Sequence, residues 1–352
     1  PVDLTEDGPS MAFVEQRTRL NVRADFTESV SAFIEFDAYH LWGEDFRSNY
    51  TTGVDMRGAA EVELYQSYIE ANDMFGAPLR LRVGRQELSF GSGWLIGTND
   101  AGSFITGLSF DAIRATYKTD LFSLDAFAAK LAENSPIEQD GDVDLYGLYG
   151  SYLGFEGMTL DAYYFLLRDS RSLADTYLGF VPELLEDVIG VDDYDATNLH
   201  TVGMRAAGMY CGLKFDAELA YQFGEADVYG PWFAGAGLLS PYGDDDAEFG
   251  NWGGNVLFAY GFPELKCAPE IFVGGAYFGG EDNRDLNFVE WLGAIACPYW
   301  SLDSSVNFNR MFSNTQYGDF VSVASHDCSN MWAVFGGVSA SPTERLRVVL
   351  AG

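Results

Sequence analysis

Residues 12 to 26 place Glu15, Arg17, Arg19 and Arg23 on one parity of the chain, and the next alternating stretch does the same with Glu35 and Asp37. A spacing of two puts such groups on one face of a β-strand. Arg80 and Arg82 repeat the arrangement, and Arg205, Lys214, Asp216 and Glu218 supply a third ionic face. Guanidinium and carboxylate groups on a shared face have two uses. They pair across strands and stiffen a wall, or they line a water-filled bore along which charged solutes move. Covalent chemistry has no comparable set. His40, His200 and His326 lie far apart, with no serine or cysteine in a triad context. No HExxH, P-loop or ordered GxGxxG occurs, and acidic pairs are too numerous for any one to signal a glycosidase. The expectation is that the chain is not an enzyme and uses no cofactor.

Metal chemistry is limited to acid-rich stretches such as Asp192-Asp193, Glu281-Asp282 and the run Asp244, Asp245, Asp246. Carboxylate oxygens suit Ca²⁺ or Mg²⁺, so the last run is a candidate site, although no EF-hand spacing accompanies it. Solvated loops, or divalent bridging to lipopolysaccharide, explain the same residues. The 352 residues carry 53 acids against 20 bases, a net charge of −33. Phosphate-binding proteins need the opposite balance, which excludes nucleic acid as a partner.

Elements must hold these faces in place, and the stretch LKFDAELAYQF (213–223) shows their kind. Leu213, Phe215, Ala217, Leu219, Tyr221 and Phe223 alternate with Lys214, Asp216, Glu218, Ala220 and Gln222. The same period of two recurs along the chain in hairpins, with strands of about 9–12 residues, the length of a tilted strand that crosses a bilayer. Short turns alternate with long polar connections, and the acids gather in the long ones. Short turns at one end and long loops at the other are the pattern of an outer-membrane barrel. Soluble sandwiches lack that asymmetry, and no helix-rich segment is present to cover the apolar strand faces. No run of about 18 apolar residues offers a spanning helix. A barrel is the other backbone-satisfying way through lipid. The expected fold is therefore all-β: a transmembrane antiparallel β-barrel as one domain over 1–352, with 14 to 16 strands visible. Leu213, Phe215, Leu219 and Tyr221 then face lipid, and the ionic set faces water inside.

Strand direction adds an expectation about the ends. If short turns are periplasmic, the first visible strand runs inward and RLRVVLAG (345–352) runs outward, so a strand precedes and another follows, for 16 to 18 in all. Between Gly279 and Ser329, FVEWLGAIA and SSVNFNRMF read either as a further hairpin or as part of one long outer loop; the single loop is favoured. VPELLEDVIG (181–190) has the apolar spacing of a short helix, resting on the rim or folded into the pore, with the rim favoured. Cys211, Cys267, Cys297 and Cys328 have no zinc-site spacing. As possible disulfides, Cys211 and Cys267 share neighbouring inner turns, and in the single-loop arrangement Cys297 and Cys328 share an outer segment. The hairpin arrangement would strand Cys328 beyond the roughly 7 Å limit between bridged Cα atoms.

The segment ELYQSYIEANDMFGAPLRLRVGRQELSFGSGWLIG followed by SFDAIRATY resembles the alginate-export family of outer-membrane barrels, as do GLKFDAELAYQFG and FNRMFSNTQYG. Its most specific element is VGRQEL, with Arg85 and Gln86. The resemblance implies a monomeric barrel in the bacterial outer membrane that conducts solutes. It also implies an arginine-rich lumen, for which Arg17, Arg19, Arg23, Arg80 and Arg82 are placed; lumenal acids are as frequent, a departure from a polyanion conduit. The expected function is a porin-like channel for passive diffusion or export of small charged or sugar-like solutes. Its partners are outer-membrane lipid, lipopolysaccharide and those solutes. The alternative is a structural barrel that anchors a surface layer, or another outer-membrane protein, through its acidic loops.

Overall fold

The computed structural model describes residues 15–41, 62–98, 107–133, 142–170, 196–225, 248–280, 305–314, 330–343 and 345–352. Antiparallel neighbours run in chain order through β1 (Glu15–Asp25), β2 (Val30–Leu41), β3 (Glu63–Ala71), β4 (Leu79–Gln86), β5 (Phe110–Lys118) and β6 (Phe122–Ala132). They continue through β7 (Val143–Phe155), β8 (Met158–Asp169), β9 (Thr197–Tyr210), β10 (Leu213–Glu225), β11 (Glu248–Gly261) and β12 (Glu270–Phe278). The two-residue β13 (Ser305–Val306) lies off this path, parallel to β11, and β14 (Met331–Thr343) and β15 (Leu346–Ala351) end the order. Leaving out β13, 14 strands form the wall. Among the described residues β1 pairs only with β2, and β15 only with β14.

Local chemistry explains the tight reversals. Thr27 caps the β1–β2 turn, its Oγ1 accepting from the backbone N–H of Val30 at 3.0 Å. Thr119 does the same between β5 and β6, accepting from Phe122 N–H at 3.1 Å. The β9–β10 turn needs two left-handed residues, Cys211 (φ 49°) and Gly212 (φ 83°), as a two-residue hairpin of the I′ kind does.

Alternation divides the wall into two faces. Leu20, Val22, Ile69, Val83, Ile113, Leu148 and Leu219 are exposed on the outside, where lipid satisfies them without any packing partner. On β10, Leu219 is 45% and Phe223 38% exposed, whereas Glu218 and Gln222 on the opposite face are 6% and 0%. The greasy set of LKFDAELAYQF thus faces outward, as its spacing predicts.

The inner face departs from expectation. Its loop-side half is apolar and dry: Ala112, Phe127, Ala129, Leu145, Tyr149, Tyr163 and Phe165 pack around Leu88, Phe90, Trp94, Leu95 and Ile96, which follow β4. Pairing of β4 stops at Gln86, and ELSF turns into the lumen because its apolar side chains find aromatic partners there. In the long connection after β12, β12 pairs directly with β14, so no hairpin interrupts the wall. From that stretch, residues 305–312 enter the bore as an extended segment, with Val306 and Phe308 buried. The segment 181–190 and the Asp244–Asp246 run lie outside the described residues.

Candidate lumen and its inward segments

Two segments occupy the bore and join each other. Phe312 N–H donates to Leu95 O at 2.8 Å, Gly97 N–H to Phe312 O at 2.9 Å, and Asn314 N–H to Gly93 O at 2.8 Å. The first segment crosses to the far wall. Ser92 Oγ donates to Glu218 on β10 at 3.2 Å, and Trp94 stacks on Phe278 of β12 and on Phe308. A glycine is required at 91 on both counts: φ is +58°, and a Cβ would stand 2.8 Å from the Tyr149 hydroxyl. The second segment is held as though it were a strand. Gln222 Nε2 donates to Asn309 O, and Asn309 N–H donates back to Gln222 Oε1, each at 2.7 Å. Gln222 satisfies two backbone groups that would otherwise be buried without partners.

Around these segments the ionic residues form pairs and triads. On β1–β2, Asp37 accepts from Arg17 Nη2 at 2.5 Å and from Arg19 Nε at 3.1 Å, and Glu35 lies 3.4 Å from Arg19. Glu35 also accepts from Gln66 at 2.8 Å. The Arg19 guanidinium lies 4.4 Å from the Tyr65 ring centroid, and that of Arg82 lies 4.2 Å from Tyr68. Arg82 pairs with Glu70 at 2.6 Å, and Arg80 donates to Thr116 at 3.2 Å. Arg23 lies nearer the turns, 61% exposed and paired with Asp25.

On the opposite wall one guanidinium serves three carboxylates. Arg205 reaches Asp161 at 2.9 Å, Asp216 at 2.6 Å and Glu218 at 3.9 Å. Lys214 and Arg347 share Glu270 at 2.5 and 3.0 Å. Each of these side chains lies on the inner parity of its strand. Glu15 begins β1, and its side chain is outside the described residues.

Sequence reasoning missed several participants. Arg114 on β5 donates to Asp125 at 2.8 Å and faces the Phe90 ring at 5.0 Å. Tyr65 donates to Glu87 at 2.6 Å. Arg310 covers Phe278 at 5.3 Å. The apolar triplet Trp94-Leu95-Ile96, inside a connection otherwise read as solvent-exposed, was the available signal. Of the motif pair, Gln86 is fully buried and donates to Ala112 O at 2.9 Å. Arg85 points outward to Asp111. Cys211 and Cys267 are free thiols, and Cys297 and Cys328 lie outside the described residues.

The sequence profile described as alginate export matches residues 3–351. The chain belongs to the alginate-export family. As a member of that family it is an outer-membrane β-barrel channel, in a group of transport proteins rather than enzymes. No curated protein sequence matches it. Among solved structures, it is similar to Pseudomonas aeruginosa OccK8 (OprE), with 14% identity, 92% of this chain and 73% of that one covered, and a TM-score of 0.45. Salmonella typhi OmpF in complex with daunomycin gives 9% identity, 96% and 81% coverage and a TM-score of 0.43. Vibrio cholerae OmpT in its trimer form gives 10% identity, 96% and 86% coverage and a TM-score of 0.44.

Proposed function

We propose that this alginate-export family member passes small charged or sugar-like solutes by passive diffusion, along the ionic wall of β1–β4. One observation carries this assignment. The buried apolar cluster is built from the two inward segments and from β5 to β12, and it contains no residue of β1–β3. The inward segments therefore narrow the bore from one side, and the water-bearing side is lined by Arg17, Arg19, Arg23, Glu35, Asp37 and Arg82. Arg80 extends this lining, and Arg205, Lys214 and Asp216 continue it on the opposite wall, where Glu218 is buried against Ser92.

Both signs of charge line that side, and aromatic rings stand beside the guanidinium groups. Such a lining favours solutes that exchange hydration for hydrogen bonds over purely apolar ones. The test is single-channel recording with purified protein in planar bilayers. A stable conductance that falls as neutral sugars of increasing size enter is expected; a protein that folds and inserts yet passes no current would overturn the proposal.

A further inference from the structure

The outer surface carries a second ordered feature, unrelated to the lumen. Outward-facing residues of neighbouring strands form rows of direct cross-strand partners. The rows Val83–Ile113–Ala128–Tyr146–Leu166 and Leu81–Ala115–Ala126–Leu148–Tyr164 contain no charged side chain. The next row toward the loops is Arg85–Asp111–Lys130–Asp144–Arg168, and Asn198 of β9 continues it. Charge alternates in sign along five successive strands. Every member stands within two residues of the loop-side end of its strand.

The pairing along the row is uneven. Arg85 and Asp111 form a two-pronged pair at 2.9 and 2.7 Å, 43% and 55% exposed. Lys130 is surrounded by Asp142 at 2.5 Å, Asp144 at 3.1 Å and Glu133 at 3.5 Å. Arg168 is exposed and makes no ion pair among the described residues. Just beneath the row Tyr164 is hydrogen-bonded to His200 Nδ1 at 2.7 Å, His200 stacks on Phe223, and Tyr221 lies against Trp252. Aromatic residues of this kind sit at the boundary between hydrocarbon and headgroups. Charges exposed on the outside of a barrel are tolerated at that boundary and disfavoured below it. The loops of an outer-membrane barrel project from the cell, so the row meets the headgroups of the outer leaflet.

The geometry points to this row as a docking line for the phosphorylated sugar headgroup of an outer-leaflet glycolipid. Arg168 meets a phosphate, and the Asp111, Asp142 and Asp144 carboxylates meet the divalent cations that accompany such phosphates. A lipid bearing a single phosphate fits a purely basic patch. Alternating signs fit a layer in which phosphates and divalent cations alternate. The row spans five inter-strand steps, roughly 24 Å at about 4.8 Å each, which suits a broad headgroup with two phosphates. Among the described residues no cluster of three or more acidic, histidine or cysteine ligands could hold a metal ion. A divalent ion needs six or more oxygens, and here the lipid phosphates complete the set.

The experiment titrates the detergent-purified full chain with a diphosphorylated, acylated glucosamine disaccharide in Mg²⁺, with bound lipid counted by native mass spectrometry. Arg168→Gln is expected to weaken binding about tenfold. Chelating Mg²⁺ weakens binding to the unaltered chain, and the same lipid without phosphates does not distinguish chain from variant. A second exposed change, Asp111→Asn, is expected to blunt the Mg²⁺ dependence while the variant keeps its heat-resistant barrel migration. Unchanged binding in both folded variants overturns the proposal. Phosphatidylglycerol binding as tightly, with the same sensitivity to Arg168→Gln, overturns it too, because the row would then be a general anion site.

Discussion

The Ser92 hydroxyl donates to the Glu218 carboxylate at 3.2 Å across 126 residues of sequence, tying the tip of the segment after β4 to the wall opposite. Glu218 accepts from Tyr163 as well, at 2.9 Å, so its two oxygens hold both the wall and the segment. Ser92→Ala removes one such bond and leaves the buried Glu218 Oε2 with Arg205 Nε, at 3.9 Å, as its remaining partner. It should cost about 1–3 kcal/mol and raise open-channel current noise, measured in planar bilayers. Glu218→Leu strands both hydroxyls and should destabilise by roughly 2–4 kcal/mol, read from urea unfolding.

Trp94 is fully buried between Phe278 and Phe308, at centroid distances of 5.9 and 5.8 Å. Trp94→Ala should lower stability by about 3–5 kcal/mol. Losing the indole loosens the packing of both inward segments, so unit conductance should rise as well. An unchanged conductance would show that the solute path runs clear of the inward segments.

Asp37 is bonded to two arginines, and neutralising it leaves Arg17 and Arg19 with less compensating charge. Asp37→Asn should move the reversal potential in a salt gradient toward anion selectivity. Arg82→Gln, which frees Glu70, should move it the other way. Reversal potentials measured at low ionic strength, where screening is weakest, decide both.

Gln222 supplies both hydrogen bonds that hold the backbone at Asn309. Gln222→Leu keeps the volume and removes the partners, at about 1–3 kcal/mol for each stranded group. Amide hydrogen exchange at Asn309 should accelerate at least tenfold, while exchange at Leu219 in the wall stays slow.

The wall was legible because its outer face has one solvent, lipid, and a single rule: Leu20, Val22, Leu219 and Phe223 are all apolar, whatever their neighbours. The inner face obeys no single rule. Glu35 and Asp37 meet arginines, while Phe127, Leu145 and Phe165 meet the folded-in segment, so β6 to β8 are apolar on both faces and their alternation fades. Within SFGSGWLI only the apolar triplet Trp94-Leu95-Ile96 marks an interior. Its glycines read as a solvent loop, and its partners Phe278 and Phe308 lie far away in sequence. The ion pairs were visible as sets of charges on shared parity. Their assignment, such as Asp161 and Asp216 both to Arg205, depends on strand register, which spacing leaves open.

The backbone hydrogen bonds of Phe312 to Leu95 and Gly97 make one rigid body of two stretches that belong to different connections of the barrel. Thermal displacement of either must break the bonds of both. The obstruction should therefore clear in discrete, all-or-none steps rather than by gradual widening, and a defect in one connection should be felt at the far end of the other.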